Sequence, residues 1–237
     1  MKKILIIFMF LFLLTGCGKN SNELVMVTEA GFAPYEYYED GKIVGVDIDI
    51  AEEIAKKMGK KLVIKDVAFD SIINEVKSSK SDFGAAGISY SEEREKEVDF
   101  SINYTTSKQV VVIKKDSGIT IDNLDGKKIA VQLGSIGDGY VTSNYKKSEI
   151  VRQKKYLQAI EDLKSDKVDC VVMDELPALE FVKVNDNLMV LDKELTSDSY
   201  GMIVKKGNTE LLNTINEVLN ELKDNGKIDE FIINHTK

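Results

Sequence analysis

Residues 45–67 read GVDIDIAEEIAKKMGKKLVIKDV and hold a helix pattern followed by a strand pattern. Apolar residues recur over 48–58 at the spacing of one helical face, and Gly59 ends that pattern. An apolar, strand-like run at 62–67 follows, and another at 24–27 precedes the helix. A helix between two strands predicts a βαβ unit with parallel strands.

The same alternation continues to the end of the chain. Further strands are predicted at 83–88, 110–113, 129–132 and 170–173, and further helices at 69–76, 159–163, 176–184 and 211–222. Only two prolines occur, so no proline-rich linker marks a domain boundary. The sequence therefore predicts an α/β fold with largely parallel sheets.

The composition limits the class of partner. The 237 residues suffice for one large or two small domains, and their net charge is -8. An acidic surface repels phosphate backbones and anionic lipid heads, so we expect no nucleic-acid partner and no electrostatic membrane binding. Cys170 lies in an apolar run and is expected in the core, without a disulfide partner.

The first 17 residues, MKKILIIFMFLFLLTGC, have the pattern of a secretory signal. The apolar run 4–14 would rise only about 16 Å as a helix, too little to span a bilayer. The tetrad at 14–17 resembles the bacterial lipobox, which implies a signal peptide at 1–16, lipid on Cys17 and a polar tether at 17–23. An ordinary signal peptide with an incidental cysteine is the alternative. Either reading predicts an extracytoplasmic protein.

Five motifs occur in order over residues 24–234. They are GFAPYE (31–36) with GVDIDIA (45–51), GISYSEER (87–94) with VDFS (98–101), VQLGS (131–135), MD (173–174) and YGMIVKKGN (200–208). Together they resemble the polar amino acid family of periplasmic-type solute-binding proteins, the receptors of ABC importers.

The resemblance implies a two-lobed, type II periplasmic-binding-protein-like fold with two hinge-crossing strands. Lobe 1 would comprise 22–105 plus 199–237, and lobe 2 would comprise 106–198. The lobes would close on a ligand in the cleft by hinge motion. The implied partners are a free amino acid and an ABC importer permease. We expect a monomer that needs no cofactor and no metal.

By this resemblance, Arg94 would bind the ligand carboxylate, because a planar guanidinium matches a carboxylate bidentately. Ser89 could donate to the same carboxylate, and Gly87 would leave room for the ligand and offer its carbonyl to the ammonium. Composition alone favours another reading of Arg94, as a solvated residue among neighbouring glutamates.

The second lobe would add two contacts. The turn at Ser135 and Ile136 follows a strand and precedes a helix, so its backbone N–H groups could bind the carboxylate. An ordinary βα turn is the alternative. Asp174 ends an apolar strand, where ligands of α/β folds bind, and suits an ammonium. Its alternative role is a helix N-cap.

Three residues would surround the ligand side chain. Phe32 and Phe69 fall at the positions of aromatic walls, with core packing as the alternative. Glu29 follows the first strand and would favour a polar or cationic ligand, such as arginine, lysine, glutamine or cystine, over glutamate. Glu29 could instead point to water.

Enzymatic activity is not expected, because the only histidine, His235, stands three residues from the end. Asp47 and Asp49 are interpreted as helix caps, and Glu52 and Glu53 as a solvated helix face. The resemblance leaves two alternatives to a transport receptor, which are a carboxylate-using dehydratase of the same fold and an amino acid sensing receptor.

Overall fold

The computed structural model of the protein describes residues 22–236. The predicted signal peptide (1–16) and Cys17 lie outside the described residues, as does most of the predicted tether (17–23). Within the described part of the chain, no helix combines the length and the apolar composition needed to cross a bilayer.

Strands and helices alternate along residues 22–236, as the sequence pattern predicts. The strands are β1 (Glu23–Thr28), β2 (Tyr37–Glu39), β3 (Lys42–Val44), β4 (Lys61–Asp66), β5 (Phe83–Gly84), β6 (Val98–Phe100), β7 (Thr105–Lys114), β8 (Lys128–Gln132), β9 (Glu149–Gln153), β10 (Cys170–Asp174), β11 (Leu188–Val190), β12 (Thr196–Tyr200) and β13 (Ile203–Lys205). The helices are α1 (Val46–Lys57), α2 (Ile72–Lys77), α3 (Glu92–Glu95), α4 (Ile136–Asn144), α5 (Tyr156–Lys164), α6 (Glu175–Lys183), α7 (Thr209–Asp224) and α8 (Lys227–His235).

The first sheet has the strand order β4-β1-β5-β13-β6. Strand β1 pairs in parallel with β4 and β5, whereas β13 pairs antiparallel with β5 and β6. Helix α1 packs against α7 and α8 through a buried face that includes Ile50, Ala51 and Ile54. The βαβ unit predicted from the segment 24–67 is confirmed as β1, α1 and β4.

The second sheet has the strand order β11-β7-β10-β8-β9, and β12 also pairs with β7. Strand β8 is parallel to β9 and β10, whereas β7 is antiparallel to β10, β11 and β12. Helices α4, α5 and α6 contact β10, and every residue of that strand is buried. Cys170 is fully buried in this strand, so its predicted place in the core is confirmed.

The two sheets draw on separate stretches of chain. The first sheet uses strands from 23–100 and 203–205, and the second uses strands from 105–200. The chain therefore crosses between the sheets twice, after β6 and after β12. At the second crossing, Ser89 forms an isolated β-bridge with Tyr200. Two α/β units joined by two crossings place a cleft between the carboxyl ends of β1 and β8.

Two sequence-based boundaries are wrong. The strand predicted at 83–88 pairs only over Phe83–Gly84, because Gly87 adopts a φ of 52° and its N–H donates to a side chain instead of a ladder partner. The helix predicted at 69–76 begins as a 3₁₀ turn, Phe69–Ser71, before α2. The hairpin of β2 and β3 and helix α8 were not predicted.

The interpretation of Asp47 as a helix cap is wrong. Gly45 is the N-cap of α1, and no side chain makes a capping hydrogen bond there. Asp47 is fully buried. Its Oδ1 accepts the hydroxyl of Tyr104 at 2.7 Å, and its Oδ2 accepts the N–H of Gly87 at 3.0 Å. Asp47 thus supports the segment that precedes Ser89 rather than the start of a helix.

Candidate functional site

The structure brings most of the predicted site residues to the cleft between the two sheets. Glu29 follows β1, and Ser89 follows β5, in the unit of the first sheet. Ser135 follows β8, and Asp174 ends β10, in the unit of the second sheet. Carboxyl ends of parallel strands are the usual place for ligands in α/β folds. Side chains from the two units touch directly here.

Arg94 makes one of these contacts between the units. Its Nη1 donates to the Ser89 carbonyl at 2.6 Å, and its Nη2 donates to the Gly134 carbonyl at 2.8 Å. The guanidinium carbon lies 5.5 Å from the centre of the Phe69 ring. Among residues 22–236, no carboxylate oxygen lies within 4 Å of this half-buried guanidinium. Burial lowers the pKa of Arg94, but a guanidinium remains charged at any physiological pH.

Asp174 supplies a buried negative charge. It is 5% exposed, and its Oδ1 accepts the Tyr200 hydroxyl at 2.5 Å and the Gln109 amide at 2.8 Å. Burial raises the pKa of Asp174. Asp174 is the N-cap residue of α6, yet its side chain makes no capping bond. The alternative role of its carboxylate as a helix cap is therefore wrong.

Asp198 is a second carboxylate at this end of the cleft, and it was not predicted. The Nε2 atom of Gln109 lies 3.2 Å from its Oδ2, so one amide group contacts both aspartates. Burial and the neighbouring Asp174 raise the pKa of Asp198. Two carboxylates held together favour a cation between them or a shared proton. No local pattern marks Asp198, which comes to the site only through the pairing of β12 with β7.

Phe32 belongs to a cluster of buried aromatic rings. Its ring centre lies 5.7 Å from that of Tyr35, 5.8 Å from that of Tyr156 and 6.5 Å from that of Tyr200. Tyr156 begins α5, so the cluster spans both units. Phe32 is only 5% exposed and belongs to the hydrophobic core, so the core-packing alternative describes its place in this structure.

Gly87 passes close to this cluster. A Cβ atom added to Gly87 would lie 2.6 Å from Cε1 of Phe32 and 3.2 Å from Cε2 of Tyr200. Its φ of 52° is also one that glycine adopts more easily than any other residue. Only glycine lets the backbone approach the rings here.

Phe69, Ser135 and Ile136 lie together at a neighbouring groove of about 490 Å³, which Arg94 also lines. Ser135 is the N-cap of α4, and its Oγ accepts the N–H of Asp138 at 3.1 Å. Ser135 thus caps α4, and the carbonyl of Gly134 in the same turn accepts a hydrogen bond from Arg94. Phe69 is half-buried and packs beside a core cluster of the first unit.

Glu29 is 1% exposed, so the possibility that it points to water is wrong. Its Oε1 lies 2.9 Å from Nζ of Lys155, and its Oε2 accepts the amide of Gln132 at 3.1 Å. Burial raises the pKa of Glu29, against the lowering effect of Lys155. Gln132 and Lys155 were not predicted. Gln132, like Asp174, is a polar residue at the end of a buried strand, so the same sequence signal could have identified it.

The carboxylates of this cleft contact other side chains, whereas Arg94 donates to backbone carbonyls. Within residues 22–236, no group of three or more histidine, cysteine, aspartate or glutamate side chains is arranged to hold a metal ion. Asp198 and Asp174 lie close enough to Arg94 that their charges act to raise its pKa against the larger, lowering effect of burial. Tyr200 links Asp174 to the aromatic cluster of Phe32. Such a set can hold a small molecule that carries both charges.

Comparisons with known proteins identify the family of this chain. Residues 24–235 match the model of the bacterial extracellular solute-binding proteins, family 3. The chain is 33% identical over 231 residues to the arginine-binding extracellular protein ArtP of Bacillus subtilis, which covers 92% of this chain and 91% of that one.

Two solved structures are also similar. The amino acid ABC transporter substrate-binding protein AbpA of Streptococcus pneumoniae, bound to L-arginine, is 34% identical with a TM-score of 0.87, over 91% of this chain and 94% of that one. An ancestral arginine-binding protein bound to glutamine is 38% identical with a TM-score of 0.84, over 90% and 97% of the two chains. The chain belongs to the bacterial extracellular solute-binding proteins, family 3.

Proposed function

We propose that this protein captures a free polar amino acid outside the cell and delivers it to the permease of an ABC importer. The observation that carries the proposal is the half-buried guanidinium of Arg94, which donates to two backbone carbonyls. Among residues 22–236, Asp198 and Asp174 act on its charge only from beyond 4 Å. A desolvated cation is costly unless an anion meets it. The α-carboxylate of an amino acid is such an anion, and its planar shape fits the guanidinium.

The α-ammonium, which is bonded to the same carbon as the carboxylate, has its own partner. The ammonium would lie against Asp174, with Asp198 close by through their shared contact with Gln109. A cation there would favour the ionised form of both aspartates, whose pKa values burial raises. Ser89 would donate to the carboxylate of the ligand, and the carbonyl of Gly87 would accept from its ammonium.

The ligand side chain would extend along Phe32 toward Glu29. Phe69 would form a further wall near Arg94, and the turn at Ser135 and Ile136 would cover the carboxylate from the second unit. This placement favours a polar or basic ligand. Arginine and glutamine are the candidates that the similar proteins described above support.

We propose that binding closes two lobes, 22–105 plus 199–237 and 106–198. The contacts of Arg94 with Gly134 and of Glu29 with Lys155 join residues of different lobes. Such contacts exist only when the lobes are together, so a ligand that bridges them shifts the population toward the closed form. A permease that recognises the closed form would receive loaded protein. The closed protein is proposed to be a monomer.

We further propose that lipid on Cys17 anchors the protein to the membrane. The support is the signal-peptide pattern of 1–17 and its resemblance to a lipobox. Because family 3 comprises solute-binding proteins, the expectation of a binding protein rather than an enzyme is confirmed.

The proposal is tested by thermal unfolding of the purified protein with each common amino acid and with cystine. We expect one chemical group of amino acids to raise the melting temperature of the wild-type protein but not of Arg94→Ala. Equal stabilisation of both proteins would contradict the proposal. Deleting the protein should also reduce uptake of that amino acid by cells, whereas unchanged uptake would favour a sensing receptor.

A further inference from the structure

Glu29 and Lys155 form an ion pair between the two units of the protein. The side chain of Glu29 is 1% exposed, that of Lys155 is 39% exposed, and Oε1 lies 2.9 Å from Nζ. Glu29 follows β1 of the first sheet, whereas Lys155 immediately precedes α5, which packs on the second sheet. The buried carboxylate of Glu29 is therefore already paired with a cation of the protein, the ammonium of Lys155.

The pair has neighbours that hold it in place. The second oxygen of Glu29 accepts the Gln132 amide at 3.1 Å. Nζ of Lys155 also lies 3.6 Å from Oδ2 of Asp66, which is 24% exposed. Although burial acts to lower it, pairing with Glu29 and Asp66 leaves the pKa of Lys155 raised. The ammonium is thus charged at neutral pH and stays beside Glu29.

The pair also borders the space proposed for the ligand side chain. Tyr156 follows Lys155, and its ring stacks on that of Phe32 at 5.8 Å. Phe32 stands three residues after Glu29 on the other unit. A long side chain lying along Phe32 toward Glu29 would therefore meet the Lys155 ammonium together with the carboxylate.

We propose that Lys155 is a specificity-determining residue that disfavours cationic ligand side chains relative to neutral polar ones. A guanidinium or ammonium on the ligand would compete with Nζ for Glu29 and would be repelled by it. A neutral amide or urea group can bond to Glu29, Gln132 or both without that repulsion. The inference rests on the proposed function, because it assigns a preference to the same cleft.

The test compares L-arginine with L-citrulline, which has the same length but a neutral urea group in place of the guanidinium. Affinities are measured by titration calorimetry at pH 8 on the wild-type protein, Lys155→Met and Lys155→Arg. Lys154→Met is the matched control, since Lys154 is the adjacent, exposed lysine. We expect Lys155→Met to raise the arginine-to-citrulline affinity ratio by about tenfold or more. Lys155→Arg and Lys154→Met should keep the wild-type ratio.

An unchanged or lower ratio in Lys155→Met would overturn the inference, while binding of amino acids by the wild-type protein would leave the proposed function standing. If the wild-type protein binds no common amino acid, the proposed function itself fails. Lys155→Gln, a more polar replacement for a side chain that is 39% exposed, gives the same comparison if Lys155→Met does not fold.

Discussion

The Nη2 atom of Arg94 lies 2.8 Å from the carbonyl oxygen of Gly134, so a cation held by the first unit touches the βα turn of the second. Its Nη1 is held by the Ser89 carbonyl of its own unit. Backbone carbonyls orient a guanidinium but do not neutralise its charge. The guanidinium can therefore bind an anion, and its contact with Gly134 forms only when the two units are together.

Replacing Arg94 by alanine should weaken binding of the preferred amino acid by about 30-fold or more, because losing one partner of a buried charge pair costs about 2–5 kcal/mol. Arg94→Lys should recover only part of this loss, since an ammonium cannot present a planar fork. Titration calorimetry measures both effects. Lys164→Ala, which removes a lysine that pairs with Glu161 on a helix surface, serves as the control. Full affinity in Arg94→Ala would remove Arg94 from the binding site.

Asp174→Asn keeps the shape of the side chain but removes the charge proposed to meet the ammonium. The variant should lose about tenfold or more in affinity for an amino acid, and much less for the matching des-amino acid. Competition binding with both compounds measures the difference. The exposed Asp186→Asn should change neither affinity. Equal losses for both compounds in Asp174→Asn would rule out the ammonium role.

Glu36 and Asp47 should make the protein less stable as the pH rises. Both are fully buried. Burial raises the pKa of Asp47 to about 6, and burial with the negative neighbours Asp47 and Glu29 raises the pKa of Glu36 well above its usual value. The unfolded carboxyls lose their protons near pH 4. Between that pH and their folded pKa values the folded state binds more protons, so stability is present in acid and declines on the way to alkaline pH.

Glu36→Gln should reduce this decline, because an amide has no proton to lose over the range. Urea unfolding midpoints at pH 5 and pH 8 measure the change. Glu39→Gln, on the exposed end of strand β2, is the matched control and should decline as the wild-type protein does. If Glu36→Gln and the wild-type protein lose stability in parallel, Glu36 does not carry the raised pKa.

Gly87→Ala should lower both the melting temperature and the affinity. The positive φ costs a residue with a Cβ about 1–2 kcal/mol, and the new atom would press on Phe32 and Tyr200. Gly118→Ala is the matched control, because Gly118 has a φ of 64° and nothing within 4 Å of its Cβ position. Thermal unfolding with and without ligand should show the larger loss at Gly87. Equal effects at the two glycines would mean that backbone strain alone is responsible.

Cys17→Ala should move the protein from the membrane fraction to the soluble fraction, because a covalent lipid is the proposed anchor. Cys170→Ala should stay with the membrane, since Cys170 is buried in β10. Cell fractionation followed by immunoblotting distinguishes the two. Retention of Cys17→Ala in the membrane fraction would refute the anchor.

The α/β architecture could be predicted because each element carries its own periodicity. Helix α1 and strand β4 follow from the apolar spacing of 48–58 and 62–67 without any long-range information. The roles proposed for Arg94 and Asp174 come from the resemblance of their motifs to the solute-binding family. The structure places both residues at the cleft, where Arg94 contacts Gly134 and Asp174 contacts Gln109.

Residues brought in by long-range pairing could not be predicted in the same way. Asp47 resembles a helix cap in sequence, but its partner Tyr104 comes from 57 residues away. Asp198 is at the cleft only because β12 pairs with β7 in one register. Lys154 and Lys155 are adjacent and identical in residue type. Only the packing of α5 brings Lys155, and not Lys154, to Glu29. Burial and register, rather than residue type, decide these contacts.

The most direct test of the central claim is the affinity of the protein for its preferred amino acid and for the α-carboxamide of that amino acid, in the wild type and in Arg94→Ala. The carboxamide keeps the ammonium and the side chain but lacks the negative charge. We expect the wild-type protein to prefer the acid by about 30-fold or more and Arg94→Ala to prefer neither. If no common amino acid binds, or if Arg94→Ala keeps the wild-type preference, the assignment of the cleft to a free amino acid is contradicted.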